Sequence, residues 1–333
     1  MNAADYLLRA LELARKGEGH TRPNPPVGAV IVKDGAIVGE GWHRRCGGDH
    51  AEVAAIKDVR RRFGDRADEI LSGATIYVTL EPCSRPGRVG ACTDAIAAAR
   101  LTGVVYAQGD PNPTNRGKAK RALARHGIAC TRYRYPGPVD PFAEILAPFA
   151  KHVTRGLPFV TVKLALSLDG RIADDFGDAR WISSVGSRRE TGRLRERIDA
   201  IMVGAETIRR DNPSLLCHTR RNDDLWRVVI SRSGKLPKSA QVFTDAARSR
   251  TLVYADPTAA LEDLGRCGFM HVLCEGGLSL ARSLAAAGLV DRWLTVLAPV
   301  VIGNGPMKDA VRGRIEPEES GLRHGDGFIS VVL

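Results

Sequence analysis

Asp49-His50-Ala51-Glu52-Val53, read together with Glu81-Pro82-Cys83 and with Cys92-Thr93-Asp94-Ala95, decides how the first half of this chain folds. Val53, Ile56 and Val59 recur on one side of Ala51 to Arg62, which predicts a helix with His50 and Glu52 in its first turn. Thr75 to Leu80 reads as a strand, Cys83 falls in the loop after it, and Cys92 opens another helix. Two helix starts and one strand end can converge at one edge of a sheet. Thiolates are favoured at a helix N-terminus, and zinc takes sulfur in that deprotonated form. One imidazole and two sulfurs leave the fourth tetrahedral corner open, which is the catalytic rather than the structural arrangement. Taken singly, His50 reads as a cap, each cysteine as a small buried hydrophobe and Glu52 as a helix-dipole carboxylate. A closed structural site is the more serious rival to a catalytic one, with Cys46 or His43 near enough in sequence to be the fourth ligand.

Outward from that stretch, Leu7, Leu8, Leu11 and Ala14 keep helical spacing between Asp5 and Lys16, and Arg22-Pro23-Asn24-Pro25-Pro26 cannot be helix interior. Val27 to Val32 and Ile37-Val38 are strands joined at Asp34-Gly35, a hairpin signal. Val104 to Tyr106 is a strand, Lys118 to His126 a helix and Ala129 to Thr131 a short strand. Strands alternating with helices imply an α/β sandwich on a mixed sheet.

The 333 residues suggest about two domains at ~150 residues each. Pro136-Gly137-Pro138 and Gly156-Leu157-Pro158 bracket a helical piece from Phe142 to His152, which puts the boundary near Thr154 and the domains at 1–153 and 154–333. Apolar residues make up 44%, enough for real cores, and no segment reaches the ~20 apolar residues of a membrane span. The N-terminus shows neither a basic region nor an apolar signal core, and seven cysteines, an odd count, argue against a disulfide framework. A cytoplasmic protein with reduced thiols is expected. The net charge of +11 raises nucleic acid as a partner, but the basic residues are scattered and the 5% of aromatics build no stacking platform. The charge is better read as an arginine-rich surface around sites for phosphorylated small molecules.

In the second half, strands are expected at Phe159 to Leu166, Ala200 to Val203, Trp226 to Ile230, Thr251 to Tyr254, His271 to Cys274, Trp293 to Leu297 and Phe328 to Val332. Helices are expected at Ser187 to Arg197, Ala259 to Arg266 and Leu278 to Ala287. Glu275-Gly276-Gly277 lies between a buried strand and a helix, where glycines let the backbone approach a phosphate. Gly204-Ala205-Glu206-Thr207 is a second such turn. Neither is G-x-G-x-x-G, so no Rossmann domain is expected.

His-x-Glu followed by Pro-Cys and a further cysteine is the pattern of zinc nucleobase deaminases. The longer motifs resemble the RibD family, the bifunctional deaminase–reductases of riboflavin biosynthesis. In the first half these are Pro23-Asn24-Pro25, Val38-Gly39-Glu40-Gly41, His50-Ala51-Glu52, Thr79 to Ser84, Cys92 to Ala95 and Asp110-Pro111-Asn112-Pro113. In the second they are Ser167 to Ala173, Trp181-Ile182-Ser183, Asp211 to Leu215, Glu275-Gly276-Gly277 and Ala287 to Asp291. The resemblance implies a cytidine-deaminase-like α/β/α sandwich followed by a dihydrofolate-reductase-like α/β domain. It implies Zn2+ on His50, Cys83 and Cys92, with Glu52 as the proton shuttle, and Asn24, His43, Ala51 and Arg88 against the deaminase substrate. It implies NADPH on Trp181, Thr207, Asp211, Gly276 and Gly277, and Lys163, Arg195, Leu215 and Glu275 against the reductase substrate.

The implied activity is deamination of a diamino-ribosylamino-pyrimidinone 5′-phosphate, then reduction of its ribosyl group to ribityl, in a homo-oligomer formed through the reductase half. The chain departs from the family at Arg85, Ala179, His218 and Ser231-Arg232. These changes motivate the alternative of a paralogue acting on a related pyrimidine. Arg232 adds a cation where a cofactor phosphate would lie.

Overall fold

The computed structural model describes the chain except residues 86–89, 178–181, 218–223, 308–309, 313–321, 324–325 and 333. It divides into two compact units, Met1–Gly156 and Leu157–Leu333. Among the described residues no helix is long and apolar enough to cross a membrane.

The first unit runs α1 (Ala3–Ala14), β1 (Gly28–Lys33), β2 (Ala36–Trp42), α2 (Ala51–Phe63), α3 (Ala67–Leu71), β3 (Thr75–Leu80), α4 (Cys92–Ala98), β4 (Gly103–Gln108), α5 (Ala119–Ala124), β5 (Ala129–Arg132) and α6 (Pro141–Arg155). Asn2 and Asp5 form a reciprocal capping box that starts α1, and Asp140 with Pro141 starts α6. The sheet has the order β2-β1-β3-β4-β5, antiparallel at β2-β1-β3 and parallel from β3 to β5. Asp34 and Gly35 both take positive φ, the geometry of a two-residue turn whose twist suits paired strands.

β1 is buried on both faces. Ala29 and Ile31 pack toward α2 with Ala55, Ile56, Val59 and Ile96, while Val30 and Val32 pack with Tyr6, Ala10 and Leu13 of α1. Helices therefore cover both sides of the sheet, an α/β/α sandwich. Gly39 and Gly41 on β2 admit α2 against the strand. A Cβ at Gly41 would lie 2.3 Å from the Ala55 nitrogen and 2.4 Å from the Ala51 carbonyl oxygen. The N-terminus of α2 is seated by that close approach.

The second unit runs β6 (Phe159–Leu166), α7 (Val185–Arg195), β7 (Ala200–Gly204), α8 (Ala205–Asp211), β8 (Trp226–Ile230), α9 (Gln241–Thr244), β9 (Thr251–Tyr254), α10 (Pro257–Arg266), β10 (His271–Cys274), α11 (Leu278–Ala286), β11 (Arg292–Leu297), β12 (Val300–Val301), β13 (Val311–Arg312), β14 (Leu322–Arg323) and β15 (Asp326–Val332). Its main sheet has the order β14-β15-β11-β6-β10-β7-β8-β9, parallel from β11 to β9, with β15 antiparallel to β11. Val160, Val162, Met202, Val228 and Cys274 pack one face against α10 and α11, and Ile201, Val203, Val229 and Leu273 pack the other. The strand from β6 feeds β7 two places away, with β10 inserted later between them. Loops after the parallel strands thus gather at one edge, where α/β sheets bind ligands.

Candidate functional site: a zinc-ligand cluster and a nucleotide-sized cleft

In the first unit the backbone brings His50, Cys83 and Cys92 together from three elements. His50 is the N-cap of α2, Cys83 follows β3, and Cys92 is the first residue of α4. Their ligand atoms lie within 4.8 Å of one another, and this is the one such group of three or more among the described residues. His50 Nδ1 is 3.1 Å from Cys92 Sγ and 3.6 Å from Cys83 Sγ. A tetrahedral zinc ion with ordinary bond lengths separates its nitrogen and sulfur ligands by roughly 3.5 Å, so the donor set fits the ion in chemistry and in span.

The electrostatics suit a cation. The bond from Cys92, together with the imidazole of His50, holds the Cys83 thiol well below its usual value, while Cys92, which donates that bond and is buried, is pushed up. His50 is raised, chiefly by its contact with Cys83. The Cys92 backbone N–H also donates to Cys83 Sγ at 3.3 Å. Glu52 is 3% exposed, and burial followed by the nearby Cys83 raises its carboxyl. A carboxyl so placed holds its proton more readily than an exposed one does.

Cys46 does not join the cluster, and His43 is engaged elsewhere. Its Nδ1 donates to the Asp49 carbonyl at 2.8 Å, which leaves Nε2 to accept from Asn24 Nδ2 at 3.1 Å. Burial lowers the His43 ring below its usual value, in keeping with the neutral form this network needs. The His43 and His50 rings meet edge to face at 5.4 Å. Asn24, His43, Ala51 and Glu52 therefore share the neighbourhood of the cluster, whereas Arg88 lies outside the described residues. Arg85, the departure beside it, is exposed.

Reading the sequence missed the frame under Cys83. Glu81, 4% exposed, accepts from the backbone N–H groups of Asp110 at 3.2 Å, Gly117 at 3.0 Å and Ala119 at 3.1 Å. Asn115 accepts from Ser84 N at 2.9 Å and donates to Asp110 at 2.9 Å. A carboxylate immediately after a strand, two residues before a ligand, was the available signal.

In the second unit a cleft of about 1040 Å³ opens at the carboxyl ends of the parallel strands. Lys163, Thr207, Asp211, Glu275, Gly276 and Gly277 all line it. Ser231 and Arg232 line it from the end of β8. The Ser231 hydroxyl is buried with no hydrogen-bond partner among the described residues, which is the signature of a polar group awaiting a ligand. The glycine turn ahead of α11, the cation of Arg232 and the volume fit a phosphorylated dinucleotide.

Two further candidates do not face the cleft. Arg195 forms a two-pronged pair with Glu275, both bonds at 2.9 Å, and donates to the Leu216 carbonyl at 3.2 Å. Burial would raise Glu275, but Arg195 and then Lys163 override it and hold the carboxyl low. Leu215 is 3% exposed and buries its side chain with Ile208, Leu225 and Val229. Trp181, like Ala179 and His218, lies outside the described residues.

Each unit matches a known family model. The family model described as the cytidine and deoxycytidylate deaminase zinc-binding region matches residues 1–108, and the RibD C-terminal domain matches 158–313. The riboflavin biosynthesis protein RibD of Bacillus amyloliquefaciens is 36% identical, over 98% of this chain and 89% of its own length. That of Escherichia coli is 35% identical, over 90% of this chain and 88% of its own. Among solved structures, the deaminase/reductase of Thermotoga maritima superposes with a TM-score of 0.83 at 30% identity, covering 98% of this chain and 97% of that one. RibD of Acinetobacter baumannii gives 0.81 at 29%, covering 99% and 98%. With a deaminase zinc region, a reductase domain and near-full-length relatives in the same order, this chain belongs to the RibD family of bifunctional riboflavin-biosynthesis enzymes.

Proposed function

We propose that residues 1–153 hydrolytically deaminate 2,5-diamino-6-(ribosylamino)pyrimidinone 5′-phosphate and that residues 154–333 reduce the ribosyl side chain of the product to ribityl. The observation that carries the first step is the three-ligand cluster beside a buried, raised carboxyl. His50, Cys83 and Cys92 would hold a zinc ion, which would supply Lewis-acid activation of water. Glu52 takes a proton at its carboxyl and passes it to the departing amine. Asn24 commits its N–H to His43, so its carboxamide oxygen is left to accept from the substrate. His43 stays neutral under the Asp49 carbonyl and orients that amide. Ala51 and Arg88 complete the substrate wall in this reading.

In the second unit NADPH supplies hydride. Thr207, Asp211, Gly276 and Gly277, which line the cleft, together with Trp181, bind the cofactor in this reading; Lys163 and Glu275 meet the substrate, Arg195 holds Glu275, and Leu215 packs in the core behind them. The cationic Lys163 suits an anionic ligand, and the Arg195–Glu275 pair fixes the carboxylate on the cleft wall. The partners are phosphorylated pyrimidines. The protein acts in the cytoplasm as a homo-oligomer joined through the reductase unit.

Incubation of the purified chain with the diaminopyrimidine phosphate tests the scheme. Ammonia release without NADPH, followed by NADPH oxidation only after deamination, is expected. Ammonia release without later oxidation removes the second step, and neither signal removes both. Sedimentation of the full chain tests the assembly, and a monomer at micromolar concentration removes it.

A further inference from the structure

Arg227, on β8, is the largest completely buried side chain among the described residues, yet it does not line the cleft. A guanidinium taken out of water needs full pairing. Asp245 supplies most of it through two bonds, at 2.6 Å and 2.9 Å, while Nε has no partner among the described residues. The remaining reach of the fork goes to main chain, with Nη1 donating to the Ser214 carbonyl at 3.0 Å and Nη2 to the Val242 carbonyl at 2.9 Å. Two residues on, the Leu216 carbonyl accepts from Arg195 at 3.2 Å. Between these two grips Leu215 has φ of 57°, a left-handed conformation that residues bearing a Cβ keep only when their surroundings hold them. The far side of Arg195 is the two-pronged pair with Glu275 on the cleft wall.

We infer that Arg227 is a positioning residue of the reductase centre: with Asp245 it clamps the Ser214–Leu216 strap, and the strap fixes Arg195 and through it the Glu275 carboxylate. The inference rests on the reading of this unit as a pyrimidine reductase. Arg227 touches neither ligand, so its role is to hold the geometry of a group that does.

The test uses the full chain carrying Arg227→Met together with Asp245→Leu. Replacing a largely buried ion pair by apolar residues of similar size commonly preserves folding, while it deletes the guanidinium donors to the Ser214 and Val242 carbonyls. The KM for the deaminated pyrimidine phosphate is expected to rise about tenfold or more. The KM for NADPH and the rate of ammonia release are expected to stay put. Arg227→Lys keeps the charge but not the fork, and is expected not to restore the pyrimidine KM. An unchanged pyrimidine KM in the double variant, or full rescue by lysine, overturns the inference. Should the double variant fail to fold, Asp245→Asn is read in the same way: a smaller rise is expected, and no change overturns. Separately from turnover, the Arg195 Nε–H resonance is expected to move in the variant. A stationary resonance sinks the clamp, whereas wild-type protein that never oxidises NADPH with the pyrimidine sinks the reductase reading instead.

Discussion

Glu52 owes its chemistry to standing two residues past a helix cap. The cap places His50 against Cys92 and Cys83, and the first turn buries the Glu52 carboxyl, where 3% exposure raises its pKa. Glu52→Gln keeps the shape and removes the proposed proton carrier. Ammonia release is expected to fall by about 10²–10⁴-fold while bound zinc and NADPH oxidation persist, checked by metal analysis alongside the two assays. A carboxyl raised in the folded state binds more protons there than in the unfolded chain, so its contribution to stability is lost as pH rises through its folded pKa. The metal-free Gln variant is therefore expected to melt above metal-free wild type at pH 7, with the gap closing at acid pH where both side chains are neutral. At the cleft, Arg232→Ala is expected to reduce the preference for NADPH over NADH, read as the ratio of the two kcat/KM values; an unchanged ratio clears Arg232 of that role. The ligand residues were legible because metal chemistry needs few residue types at short spacing. Glu81 and Asn115 were not, because their partners are backbone N–H groups as far as 38 residues away in the sequence.

Helices and strands were legible wherever the apolar period was strong, as along α2, β3, β6 and β10, and least so where a short element served packing. The seven-residue α8 read as a turn candidate, and α3, α9 and β12 to β14 gave no periodic signal over so few residues. β2 read as two residues because glycine interrupts its alternation, yet Gly39 and Gly41 are there to let α2 close on the sheet. Gly41→Ala forces α2 outward at an overpacking cost of about 1–3 kcal/mol. Zinc is expected to leave this variant more readily than wild type on dialysis against a weak chelator, with deamination falling in step.

On β10, burial of His271 lowers its ring to about 3, and Arg292 adds to the shift. The unfolded chain then binds the extra proton between about pH 6.5 and that value, so stability of the second unit falls as pH drops through this window. His271→Gln is expected to flatten the pH dependence of the urea midpoint there. A slope equal to wild type would place the acid sensitivity elsewhere.

Each unit has its own core and its own sheet, and the two chemistries draw on separate residues. Chelation is accordingly expected to stop ammonia release and leave NADPH oxidation with the deaminated pyrimidine intact, measured on one preparation before and after treatment. The two-part organisation was legible from proline–glycine punctuation and restarting periodicity. The strand order was not, since the placement of β10 between β6 and β7 joins segments about 110 and 70 residues apart, as Phe159 and Ala200 pairing with the strand at His271 and Val272 show, and no local pattern encodes it. The closeness of Cys83 and Cys92 carries a practical corollary. Stripped of their ion, two neighbouring sulfurs, one with its pKa lowered, are a dithiol open to air oxidation. Apoprotein handled in air is expected to lose its capacity to be reloaded, and to regain it on treatment with a mild reductant, so the order of reducing and remetallating decides whether the first activity returns.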